Sequence, residues 1–73
     1  MREPDFDMRH RAAEELRKLG GNNYRIAKAL GCSCKLVRYW LDEEGMVSPS
    51  YLKRIHEQGG DILYIITGER GDA

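Results

Sequence analysis

The 73-residue chain is predicted to fold as an all-α, compact bundle of about five short helices. Three observations predict this class. Apolar side chains recur at helical spacing, glycines or capping residues separate the helical segments, and alternating strand patterns are missing except for an ambiguous apolar run at 62–66. A chain this short forms one domain with a small core, here 6–68, between a flexible lead at 1–5 and a polar tail at 69–73.

The first helix is predicted from Asp5 or Asp7 to Leu19. Its apolar residues share one helical face: Met8, Ala12, Leu16 and Leu19. Either aspartate is suited to the helix N-terminus. The pair at 20–21 is suited to end the helix, because glycine accepts a left-handed conformation.

Two further helices are predicted at 23–30 and from 34 to 41 or 42. Asn22 and Ser33 are suited to cap them, and Gly31 closes the first. Their inward residues are Ile26, Ala27 and Leu30 in one helix, and Leu36, Val37, Trp40 and Leu41 in the other. The acidic run 42–44 opposes the helix dipole and predicts that the second of these helices ends there.

A fourth helix is predicted from Ser48-Pro49 to about Gln58, since serine caps and proline favours a first helical position. Its inward residues are Tyr51, Leu52 and Ile55. Asp61 is predicted to cap a fifth helix at 62–66 that stops at Gly68. The run 62–66 also has the propensity of a strand, but a lone strand would have no sheet to join.

Charge is unevenly distributed along the chain. Residues 1–15, 16–41 and 42–73 carry net charges of −2, +6 and −4, so a net charge of zero conceals a basic segment. The six cations of the middle segment have no acidic neighbour within it: Arg17, Lys18, Arg25, Lys28, Lys35 and Arg38. A basic pair of helices in an otherwise acidic domain predicts a nucleic-acid backbone as partner.

Residues 23–40 resemble the helix-turn-helix motif of the lambda-repressor-like (Cro/repressor, XRE-type) family. The residues that carry the resemblance are Ala27, Gly31, Ser33, Val37 and Trp40. Pro49 and the segment 64–69 (Tyr-Ile-Ile-Thr-Gly-Glu) are also similar to phage-repressor-type members. Three features depart from the family: Asn23 replaces a frequent glutamine, Leu41 replaces a common glutamate, and the acidic loop before Pro49 is longer.

The resemblance implies a lambda repressor-like domain with its motif at about 23–41, acting as a sequence-specific transcriptional regulator. It implies a phage- or prophage-type repressor that reads a palindromic double-stranded operator through the major groove. The predicted base-reading residues are Ser33, Cys34, Lys35, Arg38 and Tyr39. The predicted backbone contacts are Asn23, Arg25 and Lys28. Each residue also has a structural interpretation: the cations as a solvated face, Asn23 and Ser33 as caps, and Tyr39 as a packing residue.

The apolar run 62–66 exceeds what one face of a short helix can bury. A homodimer is therefore predicted, with Ile62, Tyr64 and Ile65 at its interface. The alternative is that both faces pack inside the monomer.

Other functions are less well supported by the residues. An antitoxin and a protein–protein adaptor that has lost DNA binding are the alternatives, and the acidic run 42–44 favours the adaptor. We expect no enzyme, cofactor, membrane span or small-molecule substrate, and a cytoplasmic location in a bacterial or phage-infected cell. Cys32 and Cys34 raise the question of a zinc site, but His10 and His56 are not at ligand spacing and lie on separate predicted helices, so no metal is expected. Cys32 is predicted to be a small core filler, and a redox switch at Cys34 is the alternative role for the second thiol.

Overall fold

The computed structural model describes residues 4–69, with side chains from residue 6 onward, and contains five α-helices and no strand in that range. The helices are α1 (Pro4–Gly20), α2 (Asn23–Leu30), α3 (Cys34–Leu41), α4 (Pro49–Glu57) and α5 (Ile62–Thr67). This confirms the all-α class and selects a helix rather than a strand for 62–66. None of these helices is both long and apolar enough to cross a membrane.

The helix starts follow the residues that cap them. The Asn22 side chain accepts a hydrogen bond from the Arg25 amide, and the Asp61 side chain accepts one from the Tyr64 amide, so both predicted caps are confirmed. Ser48 precedes α4 as predicted, but its side chain makes no capping hydrogen bond. The Tyr51 amide, which a serine cap would bind, donates instead to the Ser48 carbonyl at 3.0 Å.

The ends of the chain differ from the prediction. α1 begins at Pro4, so residues 4–5 belong to a helix and not to a flexible lead. The reason is again proline, whose fixed φ suits a first helical turn. The rest of the predicted lead, 1–3, and most of the predicted tail, 70–73, lie outside the described residues.

The core lies where α1 meets α2, α3 and α5. Its buried apolar residues are Ala12, Leu16, Ile26, Ala27, Leu30, Val37, Trp40, Val47, Ile55 and Ile65. Leu52, predicted to be inward, is only half-buried at the edge of this cluster, while Val47 from the loop before α4 is buried. A loop residue that turns inward leaves no helical periodicity in the sequence, so Val47 could not be found by spacing.

A buried carboxylate joins α1 to the start of α5. Glu15 is 3% exposed, and its Oε1 accepts a hydrogen bond of 2.9 Å from the backbone N–H of Asp61. Its Oε2 lies 2.9 Å from Nζ of Lys18, one turn along α1. The buried charge is therefore compensated by a cation and by an amide at a helix N-terminus.

Replacing Glu15 with alanine is expected to lower the free energy of unfolding by about 1–3 kcal/mol, because the Asp61 amide loses its acceptor. Glutamine keeps a carbonyl oxygen and should lose less. Urea denaturation followed by circular dichroism measures both changes, with Glu57→Ala as an exposed control on α4. Equal stability of Glu15→Ala and the control would show that this hydrogen bond contributes nothing.

Candidate nucleic-acid interface

The α2–α3 pair consists of two eight-residue helices joined by a turn at residues 31–33. The turn is closed by Gly31 in the left-handed region (φ +70°) and by a 3.0 Å hydrogen bond from the Cys32 amide to the Ala27 carbonyl. α3 then starts at Ser33, whose Oγ accepts from the Leu36 amide. Since Val37 and Trp40 face the core, the opposite side of α3 faces solvent.

All five predicted base-reading residues are exposed on or just before α3. Cys34, Lys35, Arg38 and Tyr39 follow the outward side of the helix, and Ser33 precedes it as the cap. The side chain of Arg38 is 77% exposed, and its Nε lies 3.8 Å from Oδ2 of Asp42. An ion pair this exposed is weak, so Arg38 can exchange Asp42 for another acceptor at little cost.

Tyr39 is held in place by the loop that follows α3. A Cβ on Gly45 would lie 2.5 Å from Cε2 and 2.6 Å from Cζ of the Tyr39 ring, so the ring rests directly on the glycine backbone. Glu43 adopts a positive φ of 60° in the same loop, and the Glu44 amide donates to the Tyr39 carbonyl. Tyr39 remains 43% exposed and borders an open depression of about 430 Å³. Its ring therefore packs within the monomer and still presents an edge to solvent.

The predicted backbone contacts lie on α2. Arg25 and Lys28 are exposed on its outward side, and Asn23 is half-buried at the first helical position. Among the described side chains, Arg25, Lys28 and Lys35 form no ion pair. All six cations of the basic segment are exposed. Lys18 and Arg38 are paired with Glu15 and Asp42, so the positive charge that described neighbours do not pair is that of Arg25, Lys28 and Lys35 on α2 and α3, together with Arg17 on α1.

The acidic run after α3 is split between two partners. Asp42 faces Arg38, whereas Oε2 of Glu43 lies 3.2 Å from Nδ1 of His10 on α1. Nε2 of the same histidine lies 3.2 Å from Oε1 of Glu14, and Oε2 of Glu14 accepts a hydrogen bond from the Tyr64 hydroxyl. Glu43 is thus directed toward α1, and Asp42 and Glu44 are the exposed acids beside α3.

Among the described residues, Cys32 and Cys34 are not part of a group of metal ligands. Cys32 is half-buried against the core and Cys34 is exposed, while His10 and His56 lie on α1 and α4. Within the described part of the chain, no three histidine, cysteine or acidic residues are grouped as metal ligands. Burial raises the pKa of the Cys32 thiol above its ordinary value, and Arg54 opposes that shift. A neutral, half-buried thiol fits the predicted role of Cys32 as a small packing residue.

The residues predicted for a dimer interface require correction. Ile65 is fully buried in the monomer core, so its assignment to an interface is wrong. Ile62 is half-buried against the core, and the hydroxyl of half-buried Tyr64 donates to Glu14. The apolar residues that α5 does expose are Leu63 and Ile66, each at 49%.

Polar contacts that sequence periodicity does not show attach the end of α5 to α1. Nε and Nη2 of Arg11 on α1 donate to the carbonyls of Ile65 and Ile66, at 3.0 and 3.4 Å. A helix of six residues has less than two turns, so its own apolar pattern does not select which face is buried. These long-range hydrogen bonds attach the C-terminal end of α5 to α1, in the arrangement in which Ile65 is buried.

Arg54 on α4 is a residue of this region that the sequence did not indicate. Its Nη1 donates a 2.6 Å hydrogen bond to the carbonyl of Leu30, the last residue of α2. The two residues are 24 positions apart, and an exposed arginine on a helix carries no pattern that distinguishes it from a solvated charge.

Comparisons of the chain with protein-family models, with curated proteins and with solved structures found no match. What α2 and α3 do is therefore inferred from the exposed cations, the capped turn and the direction of each helix face.

Proposed function

We propose that the protein is a sequence-specific, double-stranded DNA-binding transcriptional regulator in which α2 and α3 act as a helix-turn-helix motif. The main support for this proposal is that α3 exposes cationic side chains on its outward side. Lys35 and Arg38 project from a short helix whose other side is fixed to the core by Val37 and Trp40. A rigid helix with exposed donors on one side suits insertion into the major groove.

Base recognition is assigned to the side chains on that face. Arg38 can donate two parallel hydrogen bonds to O6 and N7 of guanine, and Lys35 can donate to the same atoms as a point charge. Cys34 is small enough to let the helix approach the bases, and its sulfur can contact a thymine methyl group. Tyr39, supported by Gly45, has a hydroxyl that can donate to phosphate.

Phosphate contacts are assigned to α2. Arg25 and Lys28 are exposed and carry positive charge, and the N-terminus of α2 near Asn23 presents backbone N–H groups to an anion. Binding through such contacts releases counterions from DNA, so affinity falls steeply as salt rises. These contacts fix the register of α3 in the groove without reading sequence.

We further propose that the protein binds a palindromic operator as a homodimer. This arrangement is expected of a phage- or prophage-type repressor. One reading helix covers few base pairs, whereas two related by a two-fold axis read half-sites about one helical turn apart. The exposed pair Leu63 and Ile66 on α5 offers an apolar contact for the second copy.

Replacing Leu63 and Ile66 together with glutamate is expected to abolish cooperative binding to an inverted repeat while leaving the affinity for a single half-site within about threefold, because like charges would meet across the two-fold axis. Sedimentation equilibrium and titration of one- and two-half-site duplexes measure this. Ser50→Glu on the exposed side of α4 adds charge elsewhere as a control. A wild-type protein that is monomeric both free and on a palindromic site would refute the dimer.

The central test is selection of random duplexes by the purified protein, followed by binding to the enriched sequence at two salt concentrations. We expect an inverted repeat, and a fall in affinity of about 10³-fold or more between 50 and 200 mM salt if six or more phosphates are contacted. No enrichment and no binding at low salt would overturn the proposal.

A protein–protein adaptor, or an antitoxin that also holds a toxin, is the second candidate function. The observation in its favour is that Asp42 and Glu44 are exposed directly after α3, where they repel a phosphate backbone. An adaptor would show no DNA affinity at any salt concentration, whereas an antitoxin would bind DNA and a partner protein. The same titrations, repeated with a co-purified partner, separate these two possibilities.

A further inference from the structure

Arg54 connects α4 to the end of α2. Leu30 is the last residue of α2, so no amide of that helix can donate to its carbonyl, and the hydrogen bond must come from a donor outside the helix. Nη1 of Arg54 supplies it at 2.6 Å. A hydrogen bond from a guanidinium is charge-assisted and is stronger than one between neutral groups.

The same guanidinium also lies against the turn between α2 and α3. A Cβ on Gly31 would lie 2.7 Å from Nη1 of Arg54, so the absence of a side chain at Gly31 creates the space that the arginine fills. The positive φ of Gly31 favours glycine, and the guanidinium occupies the space where a side chain at this position would begin. Arg54 therefore contacts the turn from which α3 departs.

Arg54 is also connected to α3 indirectly, through two aromatic rings. Cζ of Arg54 lies 5.4 Å from the ring centroid of Tyr51, one turn earlier on α4. The Tyr51 ring meets the ring of buried Trp40 edge-on, at 5.1 Å between centroids. Arg54, Tyr51 and Trp40 thus form a continuous series of contacts from the end of α2, across α4, to the inner side of α3.

We propose that Arg54 is a positioning residue for α3: it holds the α2–α3 turn and thereby sets the angle at which the reading helix meets the bases, without contacting DNA. This inference rests on the proposed function. Its guanidinium is already engaged with the Leu30 carbonyl and with Tyr51, whereas neighbouring Lys53 is an exposed cation that forms no ion pair with the described side chains. Lys53 is therefore a matched control of equal charge.

The test compares Arg54→Met, Arg54→Lys and Lys53→Met on the selected duplex and on random DNA. Methionine keeps an apolar stem and removes the donor, so affinity for the selected duplex should fall about tenfold or more, while affinity for random DNA stays within about twofold and the salt slope is unchanged. Arg54→Lys should restore affinity only in part, since an ammonium can donate to the Leu30 carbonyl but lacks the planar group that also lies over the Tyr51 ring. Lys53→Met should resemble the wild type on the selected duplex.

A measurement without DNA separates this inference from the proposed function. Hydrogen exchange at the amides of Gly31 and Cys32, both bonded to the Ala27 carbonyl, should accelerate in Arg54→Met, while the amide of Ile55 in the core is unchanged. If the wild type binds no duplex, the DNA-binding proposal fails, and the exchange result still decides whether Arg54 holds the turn.

Two results would overturn the role of Arg54. One is the behaviour of a phosphate contact: Arg54→Met loses equal affinity for selected and random DNA, its salt slope falls by about one, and Arg54→Lys restores the affinity. The other is unchanged exchange at Gly31 and Cys32. If Arg54→Met does not fold, Arg54→Lys is compared with the wild type instead. Wild-type DNA specificity in Arg54→Lys would then refute the positioning role of Arg54.

Discussion

Replacing Trp40 with alanine is expected to lower the free energy of unfolding by about 3–5 kcal/mol. Trp40 is 3% exposed and is the only tryptophan in the chain. It is surrounded by residues of the main core cluster and meets the Tyr51 ring edge-on. Alanine would leave a cavity that short helices close only partly.

The size of this effect matters because the domain is small. A chain of this length has a free energy of unfolding of roughly 4–11 kcal/mol, so Trp40→Ala removes a large share of it. Thermal unfolding followed by circular dichroism is the appropriate measurement, since tryptophan fluorescence is lost with the residue. The midpoint should fall by more than about 10 °C. Tyr24→Ala, at an aromatic residue that is 65% exposed, is the control and should change stability by less than about 0.5 kcal/mol. A Trp40→Ala midpoint close to that of the control would contradict the assignment of Trp40 to the core.

Replacing Arg38 with alanine is expected to reduce discrimination at one base pair of each half-site by about 1–3 kcal/mol, or roughly 5- to 150-fold, with little change in stability. Arg38 is the most versatile donor on the outward side of α3, and its only described ion-pair partner is Asp42 at 3.8 Å. Loss of that exposed pair costs at most about 1 kcal/mol. The effect on DNA should therefore exceed the effect on folding.

The measurement is competition binding against duplexes that carry each base at each position of the selected site. Lys28→Ala is the matched control, because it removes an exposed cation from α2. We expect Lys28→Ala to lower the affinity for all duplexes equally and to reduce the salt slope by about one, without changing base preference. If Arg38→Ala behaves as Lys28→Ala does, Arg38 contacts phosphate and does not read a base.

Local signals in the sequence predicted the helices well because each boundary depends on one or two residues. Asn22 determines where α2 begins, Gly31 where it ends and Ser33 where α3 begins, and a cap or a left-handed glycine can be recognised from the residue type alone. The predicted bounds of α2 and α3 match the structure for this reason.

Contacts between distant residues were not predictable in the same way. Arg11 donates to the carbonyl of Ile65, 54 positions away, and Arg54 donates to the carbonyl of Leu30 at the end of α2, 24 positions away. Apolar spacing shows that a residue faces inward or outward on its own helix, but it does not show which helix covers it. The candidate interface was therefore predictable as a set of exposed residues on α3, whereas its support by Gly45 and Arg54 required the three-dimensional arrangement.

The buried link between Glu15 and Asp61 has a consequence for how the chain acquires its structure. It joins residues 46 positions apart, so α1 cannot complete its packing until the segment that forms α5 has been synthesised. Closing a loop of this length lowers the entropy of the chain, and only the packing of the assembled core offsets that cost. A nascent chain that has produced α2 and α3 but not α5 still exposes one side of α1. Folding is then expected to be a late, concerted event, and the ability of α3 to present its side chains depends on the last helix of the bundle.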